Sequence, residues 1–321
     1  MARHLGTDPQ SLETAADALR AGSLVALPTE TVYGLAADAT NGEAVAAIYA
    51  AKGRPRFNPL ICHVSSRAMA EAIAKVDPLS ARLMDAFWPG PLTLVLPLRE
   101  DAPIHPLALA GLSTAALRMP RGVAREIIER VGRPLAAPSA NRSGRISATT
   151  ADAVDAGLGD RVAFIVDAGP TPVGVESTIV SVDGGRLTLL RPGGLPAAEI
   201  ERIAGHPLAR RATGAAVVAP GMLASHYAPH AIVRTDTAEL RPGEALLAFG
   251  PDRIEGADKA VAFLNLSPAG NLSEAAANLF SFLARLDQSG AAAIAVEPIP
   301  DEGLGEAIND RLARAAAPRE G

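Results

Sequence analysis

The sequence has a single cysteine and few aromatic residues. Cys62, alone in 321 residues, excludes an intrachain disulfide, a CxxC redox pair and a cysteine-based zinc site, and within LICHV it reads as a small core residue. Aromatics make up 3% of the chain, so the cores must rest on Ala, Val, Leu and Ile, and few stacking platforms exist for a nucleic acid strand. No apolar stretch approaches the ~20 residues of a membrane-spanning helix, and the N-terminal MARHLGTDPQ lacks the apolar run of a signal peptide. A cytoplasmic location with no membrane partner is expected. The net charge of −5 argues against a protein built to coat nucleic acid non-specifically, though it allows a local basic cleft. Walker A, HExxH, GxSxG and protein-kinase patterns are also missing, so any nucleotide chemistry must use another scaffold.

What is present is a foldable composition, 48% hydrophobic and 20% charged, on a chain long enough for two domains. Asp8-Pro9 reads as an N-cap and first helical residue, with Leu12, Ala15, Ala16 and Leu19 forming an apolar face that ends at Gly22; Asp77-Pro78 starts another helix in the same way. The apolar runs LVAL, LICHV, LTLVLPL, AALRM, PLAA and AFIVDA alternate with such helices, and STIVSVDGGRLTLLRP reads as a hairpin turning at Asp183-Gly184-Gly185. A hairpin makes an all-parallel sheet unsuitable, so a mixed α/β domain is expected over residues 1–204. The segment APGMLASHYAPHA shows no clear helix or strand period, and residues 205–230 read as a linker. A smaller Rossmann-like α/β domain is expected over residues 231–321, from the strands AIVRT, EALLAFG, AVAFLNL and AAIAVEP, the helix NLSEAAANLFSFLARLDQ and a last helix over 304–316.

Polar clusters follow or interrupt the apolar runs: PTETVYG, KGRPRFNP with His63, Arg118 after TAAL, Ser139-Ala140-Asn141 with ISATT, GVESTI, and RPGG. Lys52, Arg54 and Arg56 are spaced by two, and Pro55 favours an extended Arg54, so the three cations are expected on one side, suited to a phosphate chain. Each cluster also has a structural explanation. Lys52 and Arg56 suit a solvated helix end, Ser139 and Asn141 suit turn formers, His63 suits a satisfied core position, Ser177 and Thr178 suit ordinary strand positions, and Arg191 suits a turn before Pro192. Their number favours a site. His226 and His230 have a helical metal-ligand spacing, but Pro229 between them breaks that helix, so no metal is assigned to them. Tyr227, in the linker, can both stack and hydrogen-bond.

In order along the chain, PTETVYGL, KGRPRFNPL, FWPGPLTLVL, LRMP, PSANRSGRIS, GVESTIV and LLRPGG resemble the motifs of the YrdC-like domain. With PGMLASHYAPH and the C-terminal α/β unit, the whole chain is similar to the long, two-domain form of the threonylcarbamoyl-AMP synthase family. Arg56-Phe57 falls at sites that vary in that family; the Lys52–Arg54 pair is intact. The resemblance implies synthesis of L-threonylcarbamoyl-adenylate and pyrophosphate from L-threonine, bicarbonate or carbon dioxide, and ATP with Mg²⁺. It also implies a separate transferase system that carries the group to the adenosine beside the anticodon of tRNA; the net charge and low aromatic content make direct tRNA binding weak or absent by expectation. By the same resemblance Lys52 and Arg54 contact the phosphates, and Asn58, Thr114, Asn141, Ser147, Thr149, Arg191 and Tyr227 surround the nucleotide. Thr31, His63, Arg118, Ser139 and Ser177 frame threonine, Arg118 pairing its carboxylate as a planar fork. The segment from Pro220 to His230 is expected to close over the cleft. Two alternatives remain at this point: an RNA-binding module of this fold, and a carbamoyl-transfer domain acting on carbamoyl phosphate. The second usually accompanies cysteine-rich zinc modules, which one cysteine cannot build.

Overall fold

A computed structural model describes residues 2–210, 219 and 225–318, and in it the alternating apolar runs assemble into two sheets. The larger sheet contains β1 (Arg3–Leu5), β2 (Val25–Pro28), β3 (Tyr33–Asp38), β4 (Ile61–His63), β5 (Leu92–Pro97), β6 (Thr114–Arg118), β7 (Leu135–Ala136), β8 (Phe164–Val166), β9 (Thr178–Asp183), β10 (Arg186–Arg191) and β11 (Ala209–Arg210). Their order across the sheet is β1-β8-β2-β3-β7-β4-β6-β5-β9-β10-β11, with parallel and antiparallel pairs mixed. β9 and β10 form the expected hairpin; Gly184 and Gly185 at its turn have φ of 55° and 81°, conformations that glycine reaches without a Cβ penalty. The helix Pro9–Arg20 is capped by Asp8, whose carboxylate accepts from the amides of Gln10 and Ser11, and its buried face is Leu12, Ala15, Ala16 and Leu19. Asp77 caps Pro78–Phe87 in the same manner.

Strand alternation divides this sheet into two faces. Leu35, Cys62, Leu94, Leu117, Ala136 and Val180 point into a core closed by helices that include Gly42–Lys52 and Ala151–Leu158. On the opposite face, the helices Pro9–Arg20 and Val123–Val131 cover β1, β8, β2 and part of β3 and β7 through Leu19, Val25, Leu27, Ile127 and Ile128. Neither helix extends over the β4-β6-β5-β9-β10 half of that face. There Ile61, Val95, Ala116, Ile179 and Leu190 are met by Ala219, a residue of the linker. That half of the face, which neither helix covers, is therefore where a site has room to form.

The second sheet is all parallel: β12 (Ile232–Arg234), β13 (Glu244–Ala248), β14 (Phe263–Asn265) and β15 (Ala293–Val296), in the order β12-β15-β13-β14. The helices Leu272–Asp287 and Gly305–Ala316 pack on one face through Leu279, Phe280, Leu283, Ile308 and Leu312; on the other, Leu246, Ala248 and Ala295 are covered by Leu240, Ile254, Ala257 and Ala260 from the connection between β13 and β14 and the one before β13. No helix among the described residues is long and apolar enough to cross a membrane.

Two local expectations need correction. The three-cation face does not form: Lys52 is the last residue of its helix, Gly53 turns the chain in the left-handed region (φ 61°), and Arg56 with Phe57 ends up exposed on the turn that follows. The linker is also not devoid of regular structure, because Ala209–Arg210 adds a parallel strand to β10 and Arg210 pairs with Glu306.

Candidate active site

Period-2 alternation on β4 and β6 sends Ile61, His63, Ala116 and Arg118 to the uncovered face, with His63 and Arg118 in register. Around them lies a cavity of ≈ 40 Å³ lined by residues far apart in the chain. The PTETVYG turn gives Thr29, Val32 and Gly34; the helix end gives Arg54; PSAN gives Pro138 and Ser139. GVEST gives Glu176 and Ser177, β10 gives Arg191, and the linker gives His226 and Tyr227. The backbone that holds these turns together is itself hydrogen-bonded. Tyr33 accepts from the Ala140 amide (2.7 Å), Glu30 accepts from Val173 (3.0 Å), and Glu176 accepts from Gly194 (2.9 Å). A Cβ on Gly193 would stand 2.4 Å from the Glu176–Thr178 backbone, which is why RPGG can seat against GVEST.

Three guanidinium groups reach the cavity, and each is held in place. Arg54 donates from Nη2 to Asn58 Oδ1 (2.6 Å) and the Pro59 carbonyl (2.8 Å), and burial lowers its pKa to about 10. Arg191 donates from Nη2 to the Ser177 carbonyl (2.8 Å) and to Ser177 Oγ (3.2 Å). Arg118 donates from Nε to the Gly90 carbonyl (3.2 Å), and its Nη2 stands 2.8 Å from Glu30 Oε1, an ion pair buried on both sides. His63 is buried beside Arg118; burial first and that positive charge second push its pKa down to about 3, so the imidazole is neutral. Its Nδ1 has no hydrogen-bond partner among the described residues. His226 is likewise pushed down to about 3, chiefly by burial. The cavity thus combines three permanent cations with neutral imidazoles and hydroxyls. Glu176 is the single carboxylate among its described lining residues.

Of the nucleotide set expected from the sequence, Arg54, Arg191 and Tyr227 line the cavity; of the threonine set, His63, Arg118, Ser139 and Ser177 do. The others take different places. Lys52 is buried behind the wall, with Nζ donating to the carbonyls of Ser139 (2.6 Å) and Asn141 (2.5 Å), and burial followed by repulsion from Arg54 holds its pKa well below the ordinary lysine value. Thr31 is fully buried, sharing a hydrogen bond with Thr29 (2.8 Å), and it is Thr29 that reaches the cavity. Asn58 supports Arg54, and Asn141 ties its own loop through the Arg142 and Arg145 carbonyls. Ser147 donates to Glu176, and Thr149 is buried nearby, its carbonyl accepting from Thr171. Thr114 begins β6 at the end away from Arg118, on the same face, outside the cavity.

The linker forms part of the wall. Tyr227 is almost fully buried at φ 63°, packed against Phe280 (centroids 5.5 Å apart) and edge-on to His226 (4.1 Å). The Ala228 amide donates to the Gly144 carbonyl, and the amides of His230 and Ala231 donate to Asp287 at the end of a C-terminal helix. Pro220 and residues 221–224 of the expected closing segment lie outside the described residues. Sequence reasoning did not single out Thr29, Glu30 or Glu176, and it weighed His226 as a metal ligand rather than as part of the cavity wall. The first three sit inside motifs already flagged, whereas nothing local marks which residue of a motif faces the cavity.

Comparison with known proteins agrees with this arrangement along the whole chain. Residues 17–193 match a family model of Sua5, YciO and YrdC proteins described as "Telomere recombination", and residues 195–317 match "Threonylcarbamoyl-AMP synthase, C-terminal domain". The threonylcarbamoyl-AMP synthase of Pyrococcus abyssi is 40% identical, covering 96% of this chain and 94% of the relative. That of Bacillus subtilis is 39% identical, covering 98% and 95%. The crystal structure of P. abyssi Sua5 complexed with L-threonine superposes with a TM-score of 0.88 at 37% identity, covering 98% of this chain and 97% of that one. A match of this length, running through both sheets, separates the chain from an isolated RNA-binding or carbamoyl-transfer module of the same fold. The chain belongs to the threonylcarbamoyl-AMP synthase family, in its two-domain form.

Proposed function

We propose that this chain makes L-threonylcarbamoyl-adenylate from L-threonine, bicarbonate or carbon dioxide, and ATP, releasing pyrophosphate, for transfer by a separate system to the adenosine beside the tRNA anticodon. The observation that carries the reading is the convergence of Arg54, Arg118 and Arg191 on one buried cavity. Such a set suits one polyanion and one carboxylate bound side by side.

The chemistry asks for positioning more than for a protein nucleophile. Threonine's amine and bicarbonate give a carbamate and water. A carbamate oxygen then attacks the α-phosphorus of ATP, and pyrophosphate leaves. Preorganised cations lower the cost of charge developing on the phosphate oxygens. Arg54 and Arg191 are assigned to the phosphates, Asn58, Thr114, Asn141, Ser147, Thr149 and Tyr227 to the nucleotide and its supporting loops, and Lys52 to the loop carrying Ser139 and Asn141. Arg118 is assigned to threonine's carboxylate, with Ser139, Ser177 and neutral His63 hydrogen-bonding its polar groups and Thr31 acting through Thr29. Mg²⁺ fits as a companion of the nucleotide. Phosphate oxygens and water can supply most of its ligands, and no three His, Cys, Asp or Glu side chains cluster as a cage among the described residues. When bound it would neutralise phosphate charge.

Residues 1–204 form the catalytic unit on this reading, 205–230 a closing segment and 231–321 its anchor. The ≈ 40 Å³ cavity offers room for only about three water molecules. His226 and Tyr227 therefore withdraw to admit substrates and return to shield the water-sensitive carbamate and anhydride. The test is pyrophosphate release measured with each substrate omitted in turn. Release that requires threonine and bicarbonate together supports the reading; release from ATP alone, or sustained by carbamoyl phosphate, contradicts it.

A further inference from the structure

We propose that Arg311, in the C-terminal helix Gly305–Ala316, is a positioning residue for the active site: from outside the cavity it neutralises Glu176 and so lets the cavity hold anionic substrates. The proposal rests on the functional reading above for the charge of those substrates. Its geometry stands independently.

Glu176 and Arg311 are 135 residues apart and meet across the two sheets. Arg311 is fully buried, yet it is not among the residues lining the cavity. Its Nε donates to Glu176 Oε2 (2.8 Å), its Nη1 to Asp310 Oδ2 (2.6 Å), and its guanidinium carbon lies 5.1 Å from the centre of the Tyr227 ring. The other Glu176 oxygen accepts from Ser147. Glu176 itself contributes to the cavity wall beside Ser177 and Arg191. An unneutralised carboxylate in that wall would repel both a phosphate chain and the carboxylate of an amino acid. At an effective dielectric constant near 20, one such charge about 5–6 Å from a bound anion weakens binding by roughly a hundredfold.

The groups facing Glu176 come from four elements. Arg311 lies on the C-terminal helix, where Asp310 pairs with the same guanidinium; Arg191 lies on β10, Lys52 at the end of its helix, and His226 with Tyr227 on the linker. Arg191 donates from Nε and Nη2 to Ser177, and Lys52 donates to the carbonyls of Ser139 and Asn141. Among the contacts of the described residues, it is Arg311 that is hydrogen-bonded to the Glu176 carboxylate. In this chain, then, the second unit supplies part of the site's charge balance, and its cation packs on the tyrosine of the closing segment.

The test compares Michaelis constants for threonine and ATP in the full-length chain for wild type, Arg311→Met, Glu176→Gln/Arg311→Met and Arg311→Lys. Arg311→Met should raise both constants by about tenfold to a hundredfold. Adding Glu176→Gln should recover most of that loss, since it removes the stranded charge. Arg311→Lys keeps a cation that can titrate, so its constants should stay near wild type at neutral pH and climb as alkaline pH removes the lysine proton. This arm carries the test if Arg311→Met does not fold. A purely structural Arg311 would give a pH-independent deficit in Arg311→Lys and no recovery in the double variant, and either result overturns the proposal. Wild-type turnover that did not require threonine would instead sink the functional reading.

Discussion

Replacing Lys52 by Met separates two roles that the sequence alone could not. The structure makes Lys52 a strut: its ammonium is buried and donates to the carbonyls of Ser139 and Asn141 at 2.6 and 2.5 Å. Hydrogen bonds from a charged donor contribute about 1.5–3 kcal/mol each, and an abandoned buried carbonyl costs about 1–3 kcal/mol. Against this, the variant no longer buries an ammonium group, whose desolvation is unfavourable enough to hold its pKa well below the ordinary lysine value. The net loss should be about 2–4 kcal/mol. Urea unfolding reads it as a lower midpoint at unchanged slope. Turnover should fall on the order of a hundredfold in protein that is still folded, because a loop displaced by about an ångström misplaces the reacting groups. An unfolding free energy unchanged within about 0.5 kcal/mol, with turnover lost, would refute the strut and leave Lys52 as a substrate contact only.

Other consequences follow from neighbouring residues. Arg118→Ala would strand Glu30, so Arg118→Lys is the cleaner probe: it keeps the ion pair, loses the planar fork, and should raise the threonine requirement more than the ATP requirement in steady-state assays. Equal changes for both substrates would place Arg118 in the wrong subsite. Acid should destabilise the fold through His63 and His226, both held near 3, because below pH ~6.5 the unfolded chain takes up protons that the folded one refuses. Two such histidines amount to roughly 4 kcal/mol between pH 7 and 5. Glu176, held at about 2, adds its own loss only below its ordinary value of 4.5. Unfolding midpoints equal at pH 7 and 5 would contradict this. Gly174→Ala should loosen the two units, since at φ 77° an added Cβ would stand 2.3 Å from the Ala276 carbonyl oxygen in the helix Leu272–Asp287; a melting temperature within a degree of wild type would show that the contact gives way freely.

What the sequence made legible was local. Asp8-Pro9 and Asp77-Pro78 mark their helices because a cap and a fixed φ act within one turn. The Gly184-Gly185 turn joins neighbouring runs, so its hairpin needs no distant information. The site was legible as motifs and not as geometry. Thr29 and Thr31 differ by two residues in one turn, and only the packing decides that Thr29 faces the cavity while Thr31 bonds to it. Arg56 carried the right spacing but follows a left-handed glycine, which ends the alternation on which the reading depended. Arg311 had no local signal at all. It sits on an amphipathic helix at a position whose partner lies in the other unit, and burial of a charged residue there is a tertiary fact.

The central claim is that one carbon from bicarbonate joins threonine before adenylation. Incubating the chain with ATP, threonine and ¹³C-bicarbonate, then resolving the nucleotide products by mass spectrometry, tests it directly. The account predicts a threonine adenylate containing one added carboxyl-derived carbon, heavier by one mass unit than the product from unlabelled bicarbonate. A plain threonyl-adenylate, or an adenylate whose mass does not follow the label, would contradict it.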